Sequence, residues 1–162
     1  MKTYTNIQKV FEALPARFVQ SRKWEKVEAR LGVKLPPSYK ILVDVYGASR
    51  WEVDGNVVEV MSPFARTKRS NLFDHNQHWV ANLAFELPQT LLEASPFLHE
   101  TTLGGLMAWG SWNEYWPIYF VLKGDVDLYP ILVQKDLVYY ELHMLMTPQM
   151  LIGRECKDGR QI

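Results

Sequence analysis

The chain has 162 residues, of which 48% are hydrophobic and 13% aromatic, with a formal net charge of zero and a single cysteine. This composition suits one domain with a proper core and excludes both a disordered polar chain and an internal disulfide. No apolar run approaches the roughly 20 residues a membrane helix needs, and residues 1–10 hold no apolar leader segment, so a cytoplasmic protein is expected. The charge is unevenly spread: residues 1–40 carry nine Lys/Arg against three Asp/Glu, and residues 71–141 carry two against nine. The acidic part argues against a large nucleic-acid footprint there and allows a face that attracts a basic protein.

In chain order, Ile7, Val10, Phe11 and Leu14 recur at helical spacing, with Asn6 placed to cap the helix and Pro15 to end it. Trp24, Val27 and Leu31 form the next apolar stripe, between a capping Ser21 and a terminating Gly32. Leu35 precedes a proline and is pushed out of the helical region, while Pro37 suits a first helical turn. Tyr39, Leu42, Val43 and Tyr46 then make a second stripe ended by Gly47. The unit is a helix, a stiff corner and a second helix, with both stripes available to one core.

After Gly47 the period changes. Residues 51–60 read as a hairpin, with Asp54-Gly55 or Gly55-Asn56 supplying the positive φ angles of a tight turn. One face is apolar and one charged, as at a sheet edge. Residues 76–86 have helical character through Trp79 and Leu83, and Pro88 and Pro96 interrupt the segment beyond them. Strands are expected around Leu103–Gly110, over Glu114–Lys123, over Leu128–Gln134 and over Leu137–Leu142, with Ser111-Trp112-Asn113 as a turn and Pro130 needing an edge or a bulge. In the second of these, Trp116, Ile118, Phe120 and Leu122 point one way and Tyr115, Tyr119 and Val121 the other, so that strand is central. Thr147 and Pro148 start a short closing helix that Gly153 should end, and residues 154–162 should fray.

Motifs for chemistry are sparse. Asp74, His75, His78 and His99 have zinc-ligand chemistry. However, His75 and His78 stand three apart without the H-E-x-x-H arrangement, so they read as surface polar residues at a helix start and no metal is expected. The glycines near Trp109 do not make a phosphate loop, no G-x-S-x-G occurs, and Cys156 has no histidine neighbour. His143 reads as a core or rim histidine. No catalytic residue and no cofactor are expected.

The ordered set Trp24, Val27, Glu28, Leu31, Gly32, Leu35, Pro36, Tyr39, Lys40, Tyr46 and Gly47 resembles the opening signature of the SUKH superfamily. Those domains are related to fungal cell-wall-assembly regulators, and most are bacterial immunity proteins. Trp109-Gly110 matches the family's later W-G position, and the resemblance spans roughly residues 20–153. It implies an α+β single domain with N-terminal helices packed on a mostly antiparallel twisted sheet and a short closing helix. Here residues 1–20 add a helix, and the long middle segment departs from the family pattern. The implied function is binding and neutralising a cognate toxin domain, often a nuclease, by protein–protein occlusion. The alternative is a regulatory interaction module without a toxin partner.

Neither role requires catalysis, direct nucleic-acid contact or a membrane, and the protein is expected as a monomer or weak dimer. Both roles require aromatic anchors beside complementary charge. The candidates are Trp51 with Glu52 and Asp54, Trp112 and Tyr115 with Glu114, and Tyr129 with Asp125 and Asp127. Aromatic residues of a largely buried sheet usually serve the core, so the acids are the firmer surface candidates.

Overall fold

The computed structural model describes residues 2–3, 22–53, 55–82, 105–136, 139–144, 147–155 and 160–161. Among these residues the helices are α1 (Arg22–Leu31), α2 (Pro37–Tyr46), α3 (Leu72–Asn82) and α4 (Pro148–Glu155). The strands are β1 (Lys2–Thr3), β2 (Ser49–Val53), β3 (Asn56–Val60), β4 (Leu106–Trp112), β5 (Trp116–Val121), β6 (Ile131–Gln134), β7 (Tyr140–His143) and β8 (Arg160–Gln161). They form one eight-stranded sheet in the order β1-β8-β2-β3-β4-β5-β6-β7, antiparallel at every pairing. The expected α+β class, with helices before the sheet and a short closing helix, is the observed one. The expected helix near residues 6–14, its Pro15 stop, the Ser21 cap, the Pro88 and Pro96 breaks and His99 lie outside the described residues.

The helix–corner–helix forms as its sequence dictates. Trp24 and Val27 of α1 and Tyr39, Leu42 and Val43 of α2 are buried in one core. Gly32 at φ +73° and Gly47 at φ +65° end the two helices, their amides donating to Glu28 and Val43 carbonyls. Only glycine adopts that left-handed conformation without strain. The Trp24 indole N–H donates to Asp44, and the Tyr39 hydroxyl donates to the Met61 carbonyl at 2.6 Å, tying the helices to each other and to the end of β3.

The sheet is covered on both faces. Trp51, Val58, Trp109, Ile118 and Phe120 share the core with α1, α2 and α4. Tyr119, Val121, Leu106 and Ala108 form a second cluster under Trp79 of α3. The alternation read along β5 is therefore the observed one from Trp116 to Leu122, whereas Tyr115 lies in the turn before the strand and is exposed. A bulge shifts the β4–β5 register between Ala108 and Gly110, which brings both Trp109 and Trp112 into the helix-side core.

Five expectations are corrected. The turn after β4 is Asn113–Tyr115, not residues 111–113, because Asn113 still pairs with Val57: its amide donates to the Val57 carbonyl and its side chain accepts the Val57 N–H. Strand β6 begins after Pro130 rather than at Leu128, since 126–128 form a 3₁₀ turn. Helix α4 runs through Gly153 to Glu155. Residues 160–161 of the tail do not fray but pair with β1 and β2, which satisfies their backbone whatever their polarity. Finally, the hairpin is no edge: β3 pairs with β4 through Val58, Glu59 and Val60, so that side is occupied.

Candidate partner-binding surface

The candidate anchors separate once placed. Trp51 is fully buried, donates its indole N–H to Ser49 Oγ at 2.9 Å and meets Tyr46 edge-on. Trp112 is buried too, with the Lys135 ammonium 3.2 Å from its ring centroid. Both are core residues, a correction with a simple cause: their positions face the helices. Glu52 is half-exposed on β2 opposite Val57, and Asp54 lies outside the described residues.

The remaining candidates fall at the two ends of β5. At one end the turn holds Asn113 and Glu114 at positive φ, and Tyr115 is 71% exposed. Glu114 is not a free charge, because it pairs with Arg50 and, at 3.8 Å, with Arg69. Both arginines also contact Glu59, which accepts from Ser111 Oγ at 2.9 Å. Acid and base balance there, which removes Glu114 from the acidic set.

At the other end lies the β5–β6 loop. Gly124 at φ +81° turns the chain, and the Asp125 side chain accepts the Asp127 amide at 3.1 Å. The Leu128 amide closes onto the Asp125 carbonyl at 2.9 Å, and the Pro130 carbonyl accepts from Val121 at 2.8 Å. The loop is thereby closed by its own backbone bonds and presents Asp125, Asp127 and a 53% exposed Leu128 to solvent. Tyr129 turns inward against the core beside Phe120. Burial raises its phenol pKa, and the charges of Glu28 and Asp125 raise it further. Six residues of β5 at about 3.4 Å each put the two ends roughly 20 Å apart, so they are separate surfaces.

At the α1–α2 corner a cleft of about 300 Å³ is lined by Glu25, Ala29, Gly32, Val33 and Lys34 around Glu28. Glu28 is 5% exposed. It accepts the Leu35 amide at 2.9 Å and pairs with Lys40 at 2.6 Å and Lys34 at 3.1 Å. Burial alone would raise its pKa, but those bonds and the lysine charge hold it below the ordinary value.

His75 is a further correction. It is buried rather than at the surface, with Nε2 donating to the Gly110 carbonyl at 2.8 Å. Its neighbour Asn76 accepts the Ala108 amide at 3.0 Å. The two side chains serve backbone groups on either side of the β4 bulge, which fixes α3 to the sheet. Burial lowers the His75 pKa, against the opposing pull of the Gly110 bond and the Glu59 charge. Among the described residues no group of three or more His, Cys, Asp or Glu is placed to hold a metal ion, and no helix is long and apolar enough to cross a membrane.

Sequence reasoning missed Leu128, assigning it to a strand. The signal that places it at the surface is the Gly124-Asp125-Val126-Asp127 run, whose first aspartate makes an Asx-type turn. No family model, no curated protein and no solved structure matches the chain.

Proposed function

We propose that the chain is a protein-binding module that neutralises a cognate toxin domain by covering it, the role implied by the resemblance of its opening signature to SUKH immunity proteins. The observation that carries this reading is the β5–β6 loop: two exposed carboxylates, Asp125 and Asp127, stand just before the exposed Leu128 on a hydrogen-bonded backbone. An apolar anchor beside two like charges is suited to a basic partner, and nuclease domains are basic because they bind phosphates. A backbone already closed by its own hydrogen bonds lowers the ordering cost of binding.

The test is co-expression. The C-terminal domain of the protein encoded immediately upstream is expressed alone and then with this chain. Killing by that domain alone, survival with the chain and co-purification in a fixed ratio support the reading. Absence of toxicity, or toxicity without a complex, overturns it in favour of a regulatory module with another partner.

A further inference from the structure

Between β3 and α3 the chain makes a closed loop. Its ends meet: Ser62 and Asn71 form a parallel bridge, the Ser62 amide donates to the Ser70 carbonyl at 2.9 Å, and the Leu72 amide donates to the Ser62 carbonyl at 3.1 Å. Inside it, the Asn71 side chain donates to the Ala65 carbonyl at 2.9 Å and the Phe64 amide to Ser62 Oγ at 3.1 Å. Such a compact loop holds its shape through its own bonds. Its middle residues, Arg66, Thr67, Lys68 and Arg69, are all exposed. The loop runs along α1. At its start the Phe64 ring meets Trp24 edge-on at 5.2 Å, with Lys23 Nζ 4.6 Å from its centroid. Just past its end the Arg30 guanidinium stands 3.8 Å from the Phe73 ring. Lys23, Lys26 and Arg30 stand at i, i+3 and i+7, on one flank of the helix. Lys23 pairs with Asp44, and Arg69 with Glu59 and Glu114. Lys26, Arg66 and Lys68 are exposed, and among the described residues no carboxylate pairs with them.

We propose that this loop and the adjoining flank of α1 bind the phosphate backbone of a nucleic acid. Unneutralised cations release counterions when they meet a phosphate chain, which supplies affinity without any base contact. The charge is offered on a loop closed by its own bonds, so little ordering is needed on binding. The same surface is poorly suited to a protein or a membrane. A protein partner draws its affinity mainly from apolar and aromatic anchors, and stable membrane docking needs an apolar group to insert. The large apolar side chain exposed here is Phe64, at 43%, and its ring is already engaged by Trp24 and Lys23. The surface shares no residue with the acidic β5–β6 loop and acts independently of toxin binding.

Fluorescence anisotropy of a labelled single-stranded oligonucleotide, titrated with the full chain over a salt series, tests this. The wild-type chain binds at low salt, and the logarithm of its affinity falls linearly with that of salt concentration. Lys26→Gln/Arg66→Gln/Lys68→Gln lowers the low-salt affinity about tenfold or more and reduces the salt slope by about two, since each phosphate contact on a single strand contributes about 0.7. The three side chains are exposed and unpaired, so this variant keeps the wild-type melting transition. Lys123→Gln, at an exposed lysine of the β5–β6 loop, leaves affinity and slope unchanged. Absence of binding by the wild-type chain at low salt, or equal binding by the triple variant, overturns the proposal. So does a loss with Lys123→Gln as large as that of the triple variant, since net charge alone would then be responsible. Binding to phosphatidylglycerol vesicles without binding to the oligonucleotide also overturns it and assigns the surface to a membrane.

Discussion

Glu28 is the residue on which the first half of the fold turns. A carboxylate at 5% exposure is tolerated because the Leu35 amide, Lys40 and Lys34 all reach it. Removing it strands a buried amide and a lysine that is itself largely covered. Glu28→Ala is therefore expected to cost roughly 3 kcal/mol in urea denaturation. The two aromatic environments beside the β4–β5 turn give a sharper contrast. Trp112→Ala empties core volume and should cost about 3–5 kcal/mol, whereas Tyr115→Ala at the exposed turn should stay within about 0.5 kcal/mol. Equal losses would mean that the turn is packed. The apolar stripe of α1 was legible from spacing alone. The role of Glu28 was not, since a glutamate on a helix reads as solvated until its partners across the corner are placed.

Among the elements, β4 decides how the layers meet. Its bulge brings Trp109 and Trp112 to the same side and leaves room for α3 to bond the strand through His75 and Asn76. Gly110 is required there by contact rather than by φ: a Cβ would stand 2.5 Å from the Glu59 carbonyl oxygen. Backbone cannot yield cheaply, so Gly110→Ala should lower stability by about 1–3 kcal/mol, measured by thermal or urea unfolding. Period-2 alternation revealed β5 and the hairpin because each residue's environment follows from its neighbours. The bulge escaped, as did the burial of His75, because both depend on pairings between residues distant in sequence. The turn after β4 was misplaced for the same reason, Asn113 being held by Val57.

For the whole molecule, acid should unfold the protein in two stages. His75 is held below its ordinary 6.5 in the fold, chiefly by burial, so its contribution is present above that value and is lost progressively as pH falls below it. Glu28 is held below its ordinary 4.5 against the effect of burial, so its contribution is present above that value and disappears as pH falls further. Urea midpoints measured against pH should show both declines, and Glu28→Gln should remove the second. A midpoint independent of pH from neutrality down to the carboxylate range would contradict these assignments. The candidate site was only partly legible: the acids of the β5–β6 loop stood out as charges, but Leu128 is placed at the surface beside them only once the chain closes around it. The most direct test of the proposed function is the affinity of the upstream-encoded toxin domain for this chain, measured by calorimetry with wild type and with Asp125→Lys/Asp127→Lys/Leu128→Ala. The expected result is a loss of about a hundredfold or more, steepest at low salt, with Tyr115→Ala unchanged. Wild-type affinity in the triple variant would contradict it.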